Sequence, residues 1–127
     1  GLAMVKLDSK CGYVSKIGKE VIPVKNDWIG EFSEDGLAMV KLDSKCGYVS
    51  KIGKEVISVK YDWIGEFSED GLAMVKLDSK FGYVSKTGRE VIPVRYDWIG
   101  EFSEDGLAMV KLDSKFGYVN KTGNEGI

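Results

Sequence analysis

The sequence predicts an all-β protein made of tandem repeats, and three observations lead to this prediction. The decapeptide GLAMVKLDSK begins at Gly1, Gly36, Gly71 and Gly106, always 35 residues apart. Within each unit apolar and polar side chains alternate with a period of two, which is the period of strands and not of helices. A lone unit of this size buries too little apolar surface to offset its chain entropy, so neighbouring units must complete the core.

The repeats divide the 127 residues into a single predicted domain of four units. The units are 1–35, 36–70, 71–105 and a partial unit, 106–127. The first and second units differ at only two positions, and the second and third differ at five. Differences such as Lys to Arg and Ile to Thr are typical of natural drift, which favours recent duplication over deliberate construction.

The second unit shows the first two predicted strands and the turn between them. Residues 37–42 alternate so that Ala38 and Val40 share one face. Residues 43–45, Asp-Ser-Lys, supply polar turn chemistry. Residues 46–50 then form a second short strand, which makes the pair an antiparallel hairpin.

A second hairpin leads to the third predicted strand. Residues 50–54 place a glycine where a type I turn followed by a bulge needs a positive φ. Residues 55–61 follow, with Ile57, Val59 and Tyr61 alternating against more polar neighbours. This alternation is the clearest in the chain, and it makes each unit a three-stranded antiparallel meander.

Two prolines constrain the position of the third strand. Pro23 and Pro93 stand where the second unit has Ser58. Because proline lacks an N–H donor, the strand is expected at a sheet edge or with that position facing solvent. The connecting residues, 62–70, hold either a short fourth strand or a single helical turn.

The meanders are predicted to stack as an open superhelix, or solenoid. The alternative is a closed propeller-like ring, in which each unit is a blade. Propeller blades usually have four strands and about 40 or more residues. A unit of 35 residues is short for a blade, which favours the open array.

The motif order in each unit resembles a known family. Gly-Leu-Ala-x-Val, Lys-x-Gly-Tyr-Val, Lys-x-Gly-Lys-Glu-Val-Ile-Pro, Tyr-Asp and Phe-Ser-Glu follow one another over essentially the whole chain, as in the bacterial WG-containing (KWG) repeats. The Trp that gives this family its name is replaced here by Cys11, Cys46, Phe81 and Phe116. The resemblance implies a β-repeat domain, often found in tandem arrays, of generally unassigned activity and without catalytic residues to carry over.

Composition argues against catalysis and against several classes of partner. The chain contains no histidine, which removes the commonest general base, the usual nucleophile pairs and most zinc sites. No phosphate-binding or dinucleotide-binding glycine motif occurs. The net charge of −2 is spread evenly over the units, which disfavours a nucleic-acid partner. No apolar run reaches the roughly 18 residues of a membrane helix. We therefore expect no enzyme activity, cofactor or metal.

Acidic residues and thiols have mainly structural interpretations. Glu66, Glu69 and Asp70 lie in a connecting segment whose spacing matches no calcium-binding loop, so a solvated charged loop is favoured over a weak cation site. Cys11 and Cys46 occupy equivalent positions that are Phe in later units, which favours apolar packing over a disulfide, a metal pair or a reactive thiol. Free thiols lean towards a reducing compartment such as the cytoplasm, and no signal peptide is visible.

Aromatic residues recur once per unit and are the main candidates for a structural or binding role. The phenylalanines and tyrosines are predicted to build the core between repeats; they are Phe32, Phe67, Phe102, Tyr13, Tyr48, Tyr83 and Tyr118. The tryptophans lie in the connecting segments; they are Trp28, Trp63 and Trp98. They either plug the space between repeats, which we favour, or form an exposed row that stacks on sugars or captures peptide side chains.

Three functions remain open at the level of the sequence. The first is a non-catalytic module for protein interaction or scaffolding that uses a repeated face to bind a protein or peptide. The second is a glycan- or cell-wall-binding module that uses the tryptophans. The third is a self-assembling structural element, in which end units pair with other chains as a homo-oligomer.

Overall fold

The computed structural model describes residues 1–123 and 125–126, and every regular element in them is a β-strand. The all-β prediction is confirmed, as is the tandem arrangement of three-stranded antiparallel meanders. Within the described residues, no helix has the length and apolar character that crossing a membrane requires. Close contacts divide the chain into two compact units, Gly1–Tyr61 and Asp62–Ile127. The open stacking of all repeats and the single domain stay predictions.

Unit 1 contains two antiparallel sheets. The strands of the first sheet are β1 (Leu2–Leu7), β2 (Lys10–Ser15) and β3 (Glu20–Asn26), in that order. The strands of the second sheet are β4 (Trp28–Ile29), β5 (Leu37–Leu42), β6 (Lys45–Ser50) and β7 (Glu55–Tyr61). The predicted strands of the second repeat thus lie within one residue of their observed limits.

Unit 2 also contains two antiparallel sheets. The strands of the first are β8 (Trp63–Ile64), β9 (Leu72–Leu77), β10 (Lys80–Ser85) and β11 (Glu90–Tyr96). The strands of the second are β12 (Trp98–Ile99), β13 (Leu107–Leu112), β14 (Lys115–Asn120) and β15 (Glu125–Gly126).

The connecting segment contains a short fourth strand, and that strand joins the sheet of the following repeat. Trp28 of β4 pairs with Lys41 of β5, and Ile29 pairs with Val40. β8 and β12 pair with β9 and β13 in the same register. Each four-stranded sheet therefore begins in the linker of one sequence repeat and ends in the next.

Turn chemistry follows the backbone angles that the hairpins require. Asp43 and Ser44 have φ values of 51° and 68°, the angles of a two-residue turn whose twist matches antiparallel strands. In the second hairpin, Gly53 has φ 85° and donates its N–H to the Ser50 carbonyl at 3.0 Å. The predicted turn with a bulge is confirmed.

A bulge in the third strand explains why a glycine recurs in the second strand of every repeat. Cys46 pairs with Tyr61 and Tyr48 pairs with Ile57, so β7 has two more residues than β6 between these pairs. A Cβ on Gly47 would lie 2.5 Å from the Ile57 carbonyl oxygen. Glycine is therefore needed at this position because the bulged backbone passes directly over it.

The third strand lies at a sheet edge, as the prolines predicted. β3, β7 and β11 each end the strand order of their sheet, and Pro23 and Pro93 are exposed. A carboxylate satisfies a backbone donor on these strands, since the Val24 N–H donates to Glu20 Oε1 at 3.0 Å.

Each unit has a core shared by its two sheets. In unit 1 one cluster of buried residues consists of Cys11, Tyr13, Ile22, Ile29, Ala38, Val40 and Val49. In unit 2 a matching cluster consists of Leu72, Tyr83, Ile92, Tyr96, Ile99, Ala108, Val110 and Val119. Both clusters contain the isoleucine of a linker strand (Ile29 or Ile99). Both also contain the alanine and valine of the long strand that follows it, so these three positions join the two sheets of each unit.

Two predicted core positions are exposed in the last repeat. The side chain of Phe116 is 66% exposed, whereas the equivalent Cys46 is buried opposite Tyr61. Tyr118 is likewise exposed, whereas the equivalent Tyr83 is buried against Phe102. In the earlier repeats Cys46 pairs with Tyr61 and Tyr83 packs against Phe102, so burial at these positions depends on residues that come later in the repeat.

Candidate functional site

Linker strands hold the tryptophans and orient them outward. Trp28, Trp63 and Trp98 are each 46–47% exposed, while the isoleucine that follows each one is buried. Alternation along the strand therefore turns Ile29 inward and Trp28 outward. A Cβ on Gly30 would lie 2.8 Å from Trp28 Cη2, so the indole folds back over a glycine. The tryptophans are thus only partly buried, and their binding role stays a prediction.

A tight turn after each linker strand presents its carboxylates. In unit 2 the Ser103 N–H donates to the Leu107 carbonyl, and the Gly106 N–H donates to the Ser103 carbonyl, both at 2.9 Å. Gly106 has φ 79°, which glycine adopts without strain. Glu101 and Glu104 lie on either side of Ser103, and both are exposed.

Two such linkers and residues of both meanders of unit 2 line a groove of about 720 Å³, which we call the linker groove. Aromatic and apolar residues form part of its lining: Trp63, Phe67, Leu72, Met74, Tyr83 and Phe102. Its charged residues are Glu66, Glu69, Asp70, Glu101, Glu104 and Lys121. A cavity of this size is typical of sites that bind a small molecule or a few side chains.

An aromatic pair forms the fixed part of the groove. The rings of Tyr83 and Phe102 lie 4.9 Å apart at an angle of 56°. The Tyr83 hydroxyl donates to the Gly100 carbonyl at 2.9 Å, which ties β10 to the linker. Burial, and secondarily the charge of Glu101, raises the pKa of Tyr83 to about 12. This phenol therefore stays protonated at neutral pH.

The groove already holds one ammonium group. Lys121 forms an ion pair with Asp70, and its Nζ lies 5.9 Å from the centroid of the Phe102 ring. An aromatic face and a carboxylate are together the two groups that stabilise an alkylammonium ion. The remaining carboxylates make no ion pair within the part of the chain that the structure describes; they are Glu66, Glu69, Glu101 and Glu104.

Unit 1 has a smaller version of the same arrangement. A groove of about 630 Å³ is lined by Leu2, Tyr13, Glu31, Phe32 and Lys51, together with the first residue of the chain. The rings of Tyr13 and Phe32 lie 5.1 Å apart at 62°. Burial, and then the charge of Glu31, raises the pKa of Tyr13. The combination of Tyr, Phe, Glu and Lys therefore recurs in both units.

The sequence identified the aromatic members of this site but not its ionic ones. The tyrosines and phenylalanines were predicted as core, yet Phe67 and Phe102 are only partly buried and line the groove. The acidic linker was predicted as a solvated loop, and no role was assigned to Lys121. A usable signal exists, because Lys51 follows Phe32 by 19 residues and Lys121 follows Phe102 by 19.

The thiols and carboxylates of the described part of the chain form no metal-binding cluster. Cys11 and Cys46 are buried and free, as the packing interpretation predicted. Among residues 1–123 and 125–126, no three cysteine or acidic side chains converge as ligands for a metal.

Comparison with known proteins identifies the repeat. The protein-family model described as "WG containing repeat" matches residues 12–46, 47–81 and 81–116. No curated protein matches the chain. The three matches are consecutive and together cover well over half of the 127 residues.

Proposed function

Since the chain belongs to the WG containing repeat family, we propose that it is a non-catalytic interaction module whose linker groove binds a lysine-bearing segment of a partner protein. The observation that carries this proposal is the position of Lys121 between Phe102 and Asp70. This contact is an internal example of the recognition that a partner lysine would use. A repeated array of such grooves suits an extended peptide or a scaffold surface.

Charge favours a cationic segment over an anionic or neutral one. Five carboxylates and one ammonium line the groove, so it attracts positive charge at neutral pH. A lysine side chain also has an apolar stem, which fits against Leu72 and Met74. A cation over an aromatic ring contributes about 0.5–2 kcal/mol, depending on desolvation.

Several features support a non-catalytic role. The chain has no histidine, and both thiols are buried. Tyr83 lines the groove as a neutral phenol, because its pKa is raised to about 12. Its hydroxyl donates to a backbone carbonyl. A neutral phenol and unpaired carboxylates bind a cation without the nucleophile and base that group transfer requires.

A peptide titration tests the proposal. A short fluorescent peptide of alternating lysine and glycine should bind in low salt and lose affinity as salt rises, and the matching glutamate peptide should not bind. Glu101→Gln combined with Glu104→Gln should weaken binding about five- to tenfold, since each exposed ionic contact contributes up to ~1 kcal/mol. The control is Glu20→Gln combined with Glu55→Gln, which changes the charge equally outside the groove. Equal weakening by both pairs would contradict the proposal.

Removal of the resident lysine provides a second, opposite test. Lys121→Ala frees the ring of Phe102 and the carboxylate of Asp70, so it should tighten binding of the lysine peptide. Lys115→Ala makes the same charge change at an exposed residue of β14 outside the groove lining. If Lys121→Ala tightens peptide binding no more than Lys115→Ala does, the result would show that only the net charge of the protein matters.

Glycan binding is a second candidate, favoured by the half-exposed tryptophans. Sugar rings stack on exposed indoles, and the three tryptophans recur at equal sequence spacing. A folded Trp63→Ala variant should lose signal on a glycan array if this candidate is correct. An unchanged signal would remove it.

A further inference from the structure

The long strand after each linker places a lysine between two aromatic neighbours in unit 2. Lys76 of β9 lies opposite Trp63 of β8 on one side and opposite Phe81 of β10 on the other. Side chains directly opposite each other in an antiparallel sheet are close enough to interact. The two rings are therefore alternative positions for one ammonium group.

Three identical segments of the chain allow these alternatives to be compared. They are residues 27–45, 62–80 and 97–115. Each segment contains the linker strand, the long strand with its lysine and the hairpin turn. The residue that follows the segment lies opposite the lysine, and it is cysteine in the first copy and phenylalanine in the other two. It is therefore the nearest difference to the lysine across the sheet.

The lysine lies over tryptophan beside the cysteine and over phenylalanine in the other two copies. Lys41 Nζ is 5.2 Å from the centroid of the Trp28 ring. Lys76 Nζ is instead 5.5 Å from the centroid of the Phe81 ring. The third copy repeats this second position, with 5.6 Å between its ammonium nitrogen and the centroid of Phe116. Phe81 thus draws the lysine of its sheet away from the tryptophan.

The tryptophan left uncovered in this way belongs to the linker groove. Trp63 lines the groove together with Glu66. Trp63 is 47% exposed, as Trp28 is, so this exposure is a property of the repeat. Glu66 makes no ion pair within the described part of the chain. An indole face beside a carboxylate stabilises a basic side chain, and tryptophan is the best aromatic partner for a cation.

We propose that Trp63 and Glu66 form a subsite for an arginine of the partner segment, and that Phe81 is the positioning residue that keeps this subsite open by holding Lys76. This inference rests on the proposed function of the linker groove and adds a second basic residue to the segment bound there. Arginine fits better than lysine, because its planar guanidinium stacks on aromatic faces and donates two parallel hydrogen bonds to a carboxylate. Beside Cys46, the resident lysine takes the position over the indole itself.

A matched pair of labelled peptides tests the subsite on the full chain. Each peptide contains one lysine and, after a glycine spacer of varied length, either arginine or its neutral isostere citrulline. The arginine peptide should bind about three- to tenfold more tightly at the best spacing, as expected for one cation–π contact with an exposed ion pair. Trp63→Ala should abolish this preference. Trp98→Ala, the same change at an equally exposed tryptophan outside the groove lining, should leave it unchanged.

The outcomes of this titration separate the subsite from the groove as a whole. If both peptides bind equally at every spacing, or if the two tryptophan variants behave alike, the arginine subsite is overturned while the proposed function stands. If neither peptide binds, both the subsite and the proposed function are overturned.

A double-mutant cycle tests the positioning role of Phe81. Phe81→Cys should let Lys76 move over the indole, so most of the preference for arginine over citrulline should be lost. Lys76→Ala should restore the preference in the Phe81→Cys background and change it much less in the wild-type background. Phe116→Cys, the same change outside the groove lining, should leave the preference unchanged. A loss that Lys76→Ala does not rescue, or an equal effect of Lys76→Ala in both backgrounds, would overturn the positioning role.

Discussion

Ile99 of one sequence repeat lies buried directly opposite Val110 of the next. The pair joins a linker strand of two residues to a long strand that begins eight residues later. Because the isoleucine side chain enters the core shared by the two sheets of unit 2, the linker is a structural part of the following sheet. The Trp-Ile strand therefore couples neighbouring repeats, in addition to the packing of the two sheets within a unit.

Truncation of this isoleucine should destabilise the protein strongly. Ile99→Ala removes a buried side chain that is 3% exposed, and such changes cost about 2–5 kcal/mol. Urea unfolding followed by circular dichroism measures the change. Ile52→Ala is the control because Ile52 is 81% exposed, and it should change the free energy of unfolding by less than about 0.5 kcal/mol. Similar losses for both variants would contradict the assigned role of the linker strand.

Two glycines in equivalent turns should respond differently to alanine. Gly18 and Gly53 have φ values of 83° and 85°, so each substitution adds about 1–2 kcal/mol of backbone strain. A Cβ at Gly18 meets no atom within 4 Å, whereas a Cβ at Gly53 would overlap the Val21 carbonyl of the other sheet of unit 1. Gly53→Ala should therefore cost about 1–3 kcal/mol more than Gly18→Ala. Equal unfolding midpoints would show that the two sheets do not pack as described.

Acid stability should depend on Asp97. The ion pair with Lys80, and then the Asp113 N–H, hold the pKa of Asp97 below its ordinary value of 3.8. A folded-state pKa below the unfolded one stabilises the protein above the unfolded value, and this contribution is lost as pH falls through the folded value. Asp97→Asn should lower the melting temperature at pH 7 and flatten its fall below about pH 4. Asp105→Asn, at an exposed linker residue, should leave the acid profile unchanged.

Alkaline stability should depend on Tyr83. Its pKa is raised to about 12 in the folded protein, while the unfolded phenol titrates near 10. A raised folded-state pKa contributes stability below the unfolded value that is lost as pH rises towards the folded value. Wild-type protein should therefore lose roughly 2–3 kcal/mol more than Tyr83→Phe between about pH 10 and 12. Parallel profiles in urea unfolding would contradict the burial of this phenol against Phe102.

Most of the local structure could be predicted from the sequence because it depends on near neighbours. The alternation of Ile57 and Tyr61 predicted a strand, and Gly53 predicted its turn. The two-residue strand of Trp28 and Ile29 could not be assigned in this way. It is too short to show a period, and its pairing with β5 depends on contacts across the boundary between repeats.

The groove was harder to predict than the strands because its members are distant in sequence. Asp70 and Lys121 are 51 residues apart, and no local pattern joins them. The aromatic residues were recognised as recurring, but periodicity alone does not distinguish a buried core position from a partly exposed wall. Tyr83 and Phe102 acquire a binding interpretation only through the carboxylates and the lysine around them.

The measurement that most directly tests the central claim is an amide chemical-shift titration of the full chain with the lysine–glycine peptide. Saturable binding should shift residues 66–72, residues 101–104, Tyr83 and Lys121 together, with one dissociation constant, and Lys121→Ala should tighten it. Shifts confined to other surfaces, or no shifts at peptide concentrations that saturate the fluorescence signal, would contradict the linker groove as the binding site.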